Sequence, residues 1–253
     1  MAIGLEKARS QEAANRAEAA RQSQELKSTL LDAIAHEFKT PLTSIKAATT
    51  SLLSDPLSES AERGELLRVV EEEADRLTRL VTEALQTARI EAGKLQLNRE
   101  LHSAGSLMAT ALGHVKALME GRNVQVETAE NLPPLFVDAD LIQLAIRQLI
   151  GNALKYSLPT VPVTIAARAT ERGVAITVSD RGPGIPEDEQ ARIFEKFYRG
   201  SGDRHQVTGT GLGLAIAREV IRAHGGDVSV RSVPGQGSEF SISLPAAPEE
   251  KRV

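Results

Sequence analysis

The chain has no cysteine among its 253 residues. That excludes a disulfide frame, a thiolate metal site and a cysteine nucleophile, and it agrees with a reducing compartment. No apolar run approaches the roughly 20 residues needed to cross a bilayer. Met1-Ala2-Ile3-Gly4 is not followed by the apolar core of a signal peptide. As given, the sequence reads as soluble. It also lacks an excess of one charge: 30 basic and 34 acidic residues leave a net charge of −4. Nothing in that balance indicates nucleic acid or an anionic membrane surface as a partner. There is no internal repeat.

What is present has room for one large domain or two small ones. Residues 5–28 are rich in Ala, Glu, Gln, Arg and Lys, which favours helix but leaves little apolar surface to bury. Residues 1–25 are expected to be a linker or signalling helix trailing from an upstream region. From Leu26 the apolar residues recur at helical spacing, at Leu30, Ile34, Phe38, Leu42, Ile45 and Leu52. Pro41 interrupts the run and predicts a local bend, and Ser54-Asp55-Pro56 ends it. A second stripe carries Leu66, Val69, Val70, Leu77, Leu80, Val81, Leu85 and Ile90, and Gly93 ends it. Two long helices joined by a short loop make an antiparallel hairpin over residues 26–93. A two-helix layer covers its apolar stripes poorly. Pairing with a second copy, as a four-helix bundle, is the simplest solution, and packing on the rest of its own chain is the other.

After Gly93 the pattern becomes mixed. Strands are predicted at Lys94–Leu101, Val124–Val126, Leu135–Val137, Val163–Ala169, Val174–Ser179, Val228–Ser232 and Ser238–Leu244. Helices are predicted at Ala104–Glu120, Asp138–Tyr156, Glu187–Phe197 and Leu212–His224. The fold class is therefore α+β: a helical hairpin, then an α/β sandwich over residues 94–247 with helices on one face of one sheet. Residues 248–253 are the tail, and the polar stretch Pro245–Val253 reads as frayed.

Several segments could carry chemistry. His36-Glu37-Phe38-Lys39-Thr40-Pro41 puts a histidine with an acidic neighbour on the first helix. Gln148, Asn152, Lys155 and Tyr156 share one face of a later helix. There Asn152 can give an oxygen to Mg²⁺ and Lys155 can neutralise phosphate charge. A solvated polar face is the plainer reading of that pattern. Asp180-Arg181-Gly182-Pro183-Gly184-Ile185 follows an apolar strand. Its glycines let a flat ligand approach the backbone, and Asp180 can accept from an exocyclic amine, although such a turn is as readily only a turn. Phe194–Arg199 supplies two core phenylalanines and then Arg199, before a glycine- and polar-rich stretch at Gly200–Thr208 that reads as a lid. Gly209-Thr210-Gly211-Leu212-Gly213 opens another helix, whose N-terminal amides suit phosphate. The loop lacks the Gly-Lys-Ser/Thr ending of a Walker motif, and no strand leads into it as the Rossmann fingerprint requires.

In this order the segments resemble the boxes of a HisKA-type sensor histidine kinase, over about residues 25–245. His36–Pro41 resembles the H box, Gln148–Ser157 the N box and Asp180–Ile185 the first glycine box. Phe194–Arg199 resembles the F box, Gly209–Gly213 the second glycine box, and Gly235-Gln236-Gly237-Ser238-Glu239-Phe240 the closing glycine turn. The histidine region and Ala88-Arg89-Ile90-Glu91-Ala92-Gly93 look most like the potassium-sensing branch. One departure stands out: Gln148 occupies the position where the family usually has a first asparagine.

The resemblance implies that ATP binds with its adenine against Asp180, Gly182, Gly184 and Ile185. Asn152, Lys155, Tyr156, Arg199, Gly209, Thr210, Gly211, Leu212 and Gly213 would surround the phosphates, and Asn152 would be the protein ligand of Mg²⁺. It implies that His36 is the phosphoryl acceptor, that Glu37 orients its ring, and that Thr40 serves a phosphatase reaction. It also implies a homodimer whose partner is the receiver domain of a response regulator. The fragment would be cytoplasmic and would touch a membrane only through an upstream sensor region. Two rival readings use the same residues: a conformational-clamp ATPase of the same superfamily, and a dimerising scaffold with a decayed nucleotide site. The remaining histidines, His102, His114, His205 and His224, read as surface, packing or lid residues.

Overall fold

A computed structural model describes residues 38–54, 60–91, 96–200 and 211–251. They fall into two compact units, one ending at Ala84 and the other starting at Leu85.

The first unit holds α1, residues 38–54, and most of α2, Ser60–Glu91, whose last seven residues belong to the second. Helix α1 continues through Pro41, which is buried. Thr43 and Thr49 donate their hydroxyls to the carbonyls of Lys39 and Ile45, one turn back, at 2.7 and 2.8 Å. Ala48 and Leu80 are buried, while Leu42, Leu53, Leu67 and Val81 are exposed. The hairpin thus leaves much of its apolar surface uncovered.

The second unit begins its regular structure with β1 (Glu100–His102), which pairs antiparallel with β3 (Leu135–Val137). Between them lie α3 (Ala104–His114), a 3₁₀ turn at Lys116–Met119 and β2 (Val124–Thr128). Helix α4 (Ala139–Tyr156) follows, then the hairpin of β4 (Val163–Thr170) and β5 (Gly173–Asp180). After the short α5 (Glu187–Gln190) come α6 (Gly213–Ala223) and a second hairpin, β6 (Asp227–Val233) and β7 (Gly237–Pro245). The main sheet has the order β2-β4-β5-β7-β6. Only β2–β4 is parallel, because α4 carries the chain over the sheet between them.

Alternation along β5 sends Val174, Ile176 and Val178 inward, and β7 does the same with Phe240, Ile242 and Leu244. Onto this face pack α4 and α6, which bury Ile142, Ile146, Leu149 and Ile150 and then Ile216, Val220 and Ile221. Each fully buried aliphatic side chain contributes about 1.5–3 kcal/mol over exposure. The expected one-sided sandwich is the fold observed.

Four local expectations change. The strand predicted over Lys94–Leu101 is irregular over residues 96–99 and pairs only at Glu100–His102. The helix predicted over Ala104–Glu120 stops at His114 and tightens into a 3₁₀ turn. The one predicted over Glu187–Phe197 breaks at Ala191 into one α-turn and a 3₁₀ turn at Arg192–Phe194, and Phe197 has a φ of 65°. In both places the backbone bonds shorten to three residues, Val115 N–H donating to Leu112 O at 3.1 Å and Glu195 N–H to Arg192 O at 2.8 Å, the pattern of a tightened turn. The tail is not frayed through Lys251: Ala247 is buried, and its N–H donates to Pro134 O at 2.7 Å.

Candidate adenine-nucleotide site

Helix α4 is the spine of the site. Asp138 caps its start, accepting Leu141 N–H at 3.2 Å with one carboxylate oxygen and Asn98 N–H at 3.0 Å with the other. His224, from the end of α6, accepts Asp138 N–H on Nε2 at 3.0 Å and bonds Val220 O through Nδ1 at 2.8 Å. It is buried, so among the alternatives left by the sequence it is a packing residue. At the other end Arg122 donates to Leu154 O, Ser157 O and Ser157 Oγ at 2.8, 3.0 and 2.8 Å. That clamp fixes the turn bearing Asn152, Lys155 and Tyr156.

Asn152 and Tyr156 are half-buried and Lys155 is exposed, with its Nζ 5.3 Å from the centre of the Tyr156 ring. This last turn abuts the loop after β5: a β-carbon on Gly182 would lie 2.7 Å from Tyr156 O. Asp180 ends β5, buried, and accepts Gly182 N–H at 2.7 Å. Burial pushes its carboxyl above the usual carboxylate range, partly offset by the backbone bonds from Gly182 and Ser238. Gly184 has φ +71° and its open side faces the backbone of Val233 and Pro234, a conformation and a closeness that suit glycine alone. Gly235 N–H donates to Pro183 O at 2.7 Å.

The other side of the site is the start of α6. Gly211 has φ +69° and packs against Phe197, whose N–H donates to Gly211 O at 2.9 Å. Leu212 is buried and anchors the turn. Gly213 opens α6, and a β-carbon there would collide with Gln148 Oε1. So Gln148 reaches across from α4 to the first residue of α6. Leu212 offers no side-chain acceptor to that first turn, the setting in which helix amides bind phosphate.

The structure therefore brings Gln148, Tyr156, Asp180, Gly182 and Gly213 together around α4, with Asn152 and Lys155 on its open face and Arg199 half-buried beyond Phe197. Thr40 is exposed on α1. His36, Glu37, Gly209 and Thr210 lie outside the described residues. So do Gly93, the expected end of the second helix, and most of the Gly200–Thr208 stretch. Among the described residues no group of three or more His, Asp or Glu could cage a metal. The half-exposed carboxamide of Asn152 fits instead an ion that shares its shell with water and phosphate. Missed from sequence were Arg122, Gln190 and Ser232. Their roles rest on hydrogen bonds between distant segments, which no periodicity reports.

Two family models match the chain. The His Kinase A (phospho-acceptor) domain covers residues 26–93, and the histidine kinase-, DNA gyrase B- and HSP90-like ATPase covers residues 137–248. Sensor protein KdpD of Mycobacterium tuberculosis is 36% identical over 99% of this chain and 29% of its own length. Sensor histidine kinase WalK of Bacillus subtilis is 32% identical over 86% of this chain and 36% of its own length. Sensor-like histidine kinase SenX3 of Mycobacterium bovis is 33% identical over 84% of this chain and 52% of its own length. The chain thus spans about half or less of these relatives. Among solved structures, full-length ShkA in complex with AMPPNP superposes with a TM-score of 0.61 and 30% identity, over 84% of this chain and 45% of that one. Histidine kinase ThkA in complex with response regulator protein TrrA, at 21% identity and a TM-score of 0.60 over 86% of this chain and 61% of that one, shares the fold. With a phospho-acceptor domain followed by this ATPase domain, the chain is a sensor histidine kinase core.

Proposed function

We propose that the chain uses Mg·ATP to phosphorylate its own His36 and passes the phosphoryl group to an aspartate on a response regulator. The observation that carries this is the convergence of the last turn of α4, the Asp180–Ile185 loop and the glycine-opened start of α6. In this reading Asp180 accepts from the adenine amine, with Gly182, Gly184 and Ile185 along the base. Asn152 holds Mg²⁺, which supplies charge neutralisation at the phosphates. Lys155, Tyr156, Arg199 and Gly209–Gly213 surround the triphosphate.

The chemistry asked of the protein is positioning. A neutral imidazole nitrogen of His36 attacks the γ-phosphorus, and the bond to the β–γ bridging oxygen breaks. ADP leaves with that electron pair. Histidine is neutral enough near pH 7 to act as the nucleophile. Glu37 orients the ring and takes up the proton of the imidazolium that forms. Thr40, exposed on α1, is assigned to positioning a water that hydrolyses the aspartyl phosphate of the regulator and releases inorganic phosphate.

Partners follow from the first unit. Its exposed Leu42, Leu53, Leu67 and Val81 suit a second copy of the chain, as a four-helix bundle. One face of α1 carries Phe38, Lys39, Thr43 and Lys46, apolar and basic groups that suit an acidic receiver domain. ThkA, a fold neighbour, was solved with such a regulator. We assign residues 1–25 to a signalling linker, 26–93 to dimerisation and phosphotransfer, 94–247 to catalysis and 248–253 to a tail. The KdpD relative supports the potassium-sensing branch. No helix among the described residues is long and apolar enough to cross a membrane, and the assigned place for this core is the cytoplasmic side of a parent sensor.

The test is incubation with γ-labelled ATP. Acid-labile, alkali-stable label should appear on the protein and vanish in His36→Gln. Label that persists in that variant overturns the acceptor assignment.

A further inference from the structure

Ile185 is the residue of the adenine-facing loop whose backbone is held on both sides. Its N–H donates to Ser232 Oγ at 2.8 Å, and its carbonyl accepts from Gln190 Nε2 at 3.0 Å. The second Nε2 proton of Gln190 goes to Ser232 O at 2.9 Å. Ser232 Oγ also lies 2.8 Å from Gly237 O and 2.9 Å from Ser238 Oγ. One assignment satisfies every group: Ile185 N–H and Ser238 O–H donate to Ser232 Oγ, whose single proton goes to Gly237 O.

These residues lie on one row of the sheet. Asp180 on β5 is the cross-strand partner of Ser238 on β7, and Ser238 is the partner of Ser232 on β6. Two strand spacings, about 10 Å, separate the ends of that row. Asp180 stands at one end, and Ser232, fastened to Ile185, stands at the other. The distance between the carboxylate that reads the base and the wall that the base rests on is therefore set by the sheet. A side-chain amide and a hydroxyl transmit it.

We infer that Ser232 and Gln190 are positioning residues that fix Ile185 relative to Asp180 and so set affinity and selectivity for the adenine base. The inference rests on the reading of this loop as an ATP site. Neither side chain touches the phosphates in that reading, so their effect belongs to the base alone.

The test uses the full chain with Ser232→Ala, Gln190→Glu and Ser232→Thr. Binding of Mg·ATP, Mg·GTP and inorganic triphosphate is measured by calorimetry, alongside single-turnover autophosphorylation and melting temperature. Gln190→Glu keeps the length but removes both donated protons. It and Ser232→Ala should each weaken ATP about fivefold, the order expected for one lost hydrogen bond. The ATP-over-GTP preference should narrow, triphosphate binding should stay unchanged, and the loss should appear in KM rather than in the maximal rate. Ser232→Thr keeps the hydroxyl and should behave as wild type. An unchanged ATP-to-GTP ratio in the first two variants overturns the inference, as does a parallel loss of triphosphate binding. If the wild-type chain itself binds no ATP, the site reading fails first and this inference with it.

Discussion

The backbone carbonyl of Tyr156 occupies the space that a side chain on Gly182 would need. A β-carbon there would lie 2.7 Å from it and 2.9 Å from Asp180 Oδ1. The end of α4 and the loop after β5 are thus in backbone contact.

Gly182→Ala must push that contact apart. Overpacking of this kind costs about 1–3 kcal/mol, and the displaced atoms belong to the site. We expect a melting temperature lower by several degrees and ATP affinity reduced tenfold or more. Gly151→Ala is the control, because a β-carbon there meets nothing within 4 Å. It should leave ATP binding intact and, by helix propensity, leave stability equal or slightly higher.

Asp180→Asn should separate binding from folding. The folded carboxyl titrates above its ordinary value of 3.8 because it is buried. Its contribution to stability is therefore full below that value and lost as pH rises through the folded value. Burial disfavours an ionised carboxylate at this position, and the asparagine carbonyl can still accept Gly182 N–H. Without nucleotide, the variant should melt at or above the wild-type temperature at pH 7, with the gap closing as pH falls towards 4. Calorimetry should show ATP binding at least tenfold weaker, since a charged acceptor for the adenine amine is gone.

His224 makes the ATPase unit sensitive to acid. Its Nε2 accepts a backbone N–H, so the neutral ring carries its proton on Nδ1. Burial holds its pKa below the ordinary 6.5, with Arg99 adding to that effect while the Val220 bond and Asp138 oppose it. A depressed histidine gives full stability above 6.5 and loses it as pH falls through the folded value, because only the unfolded chain takes up the proton readily. Thermal unfolding followed from pH 7.5 to 5 should show a falling melting temperature. His224→Gln should start lower at pH 7.5 and follow a flatter course. A wild-type profile as flat as the variant's refutes this role.

Much of this was legible in the sequence because it depends on local pattern. The period-two alternation of Val174, Ile176 and Val178 and the apolar face of α4 both reported the packing that the structure contains. From sequence the glycines at 182 and 184 read as room for a flat ligand, and those at 211 and 213 as part of a phosphate loop. What each one approaches was not legible, since Tyr156, Val233, Phe197 and Gln148 come from other segments. Gln148 shows the limit well. From sequence it stood out only as a glutamine where the family usually has a first asparagine. In the fold its carboxamide lies on Gly213 and joins two helices. Ser232 was invisible for the same reason: on an alternating strand a serine looks like solvent-facing filler, and its task depends on a loop nearly fifty residues earlier.

The fastening of the tail has a topological consequence. Ala247 is tied to Pro134 just before β3, while Asn98 is tied to Asp138 just after it. Entry to and exit from the ATPase unit thus meet at the two ends of one three-residue strand, roughly 13 Å apart at about 3.3 Å per residue. Closely spaced ends of this kind permit circular permutation. A short bridge from Lys251 to residue 96 would close the unit into a ring, and new ends could be opened at the Glu171-Arg172 turn with the nucleotide cradle left whole.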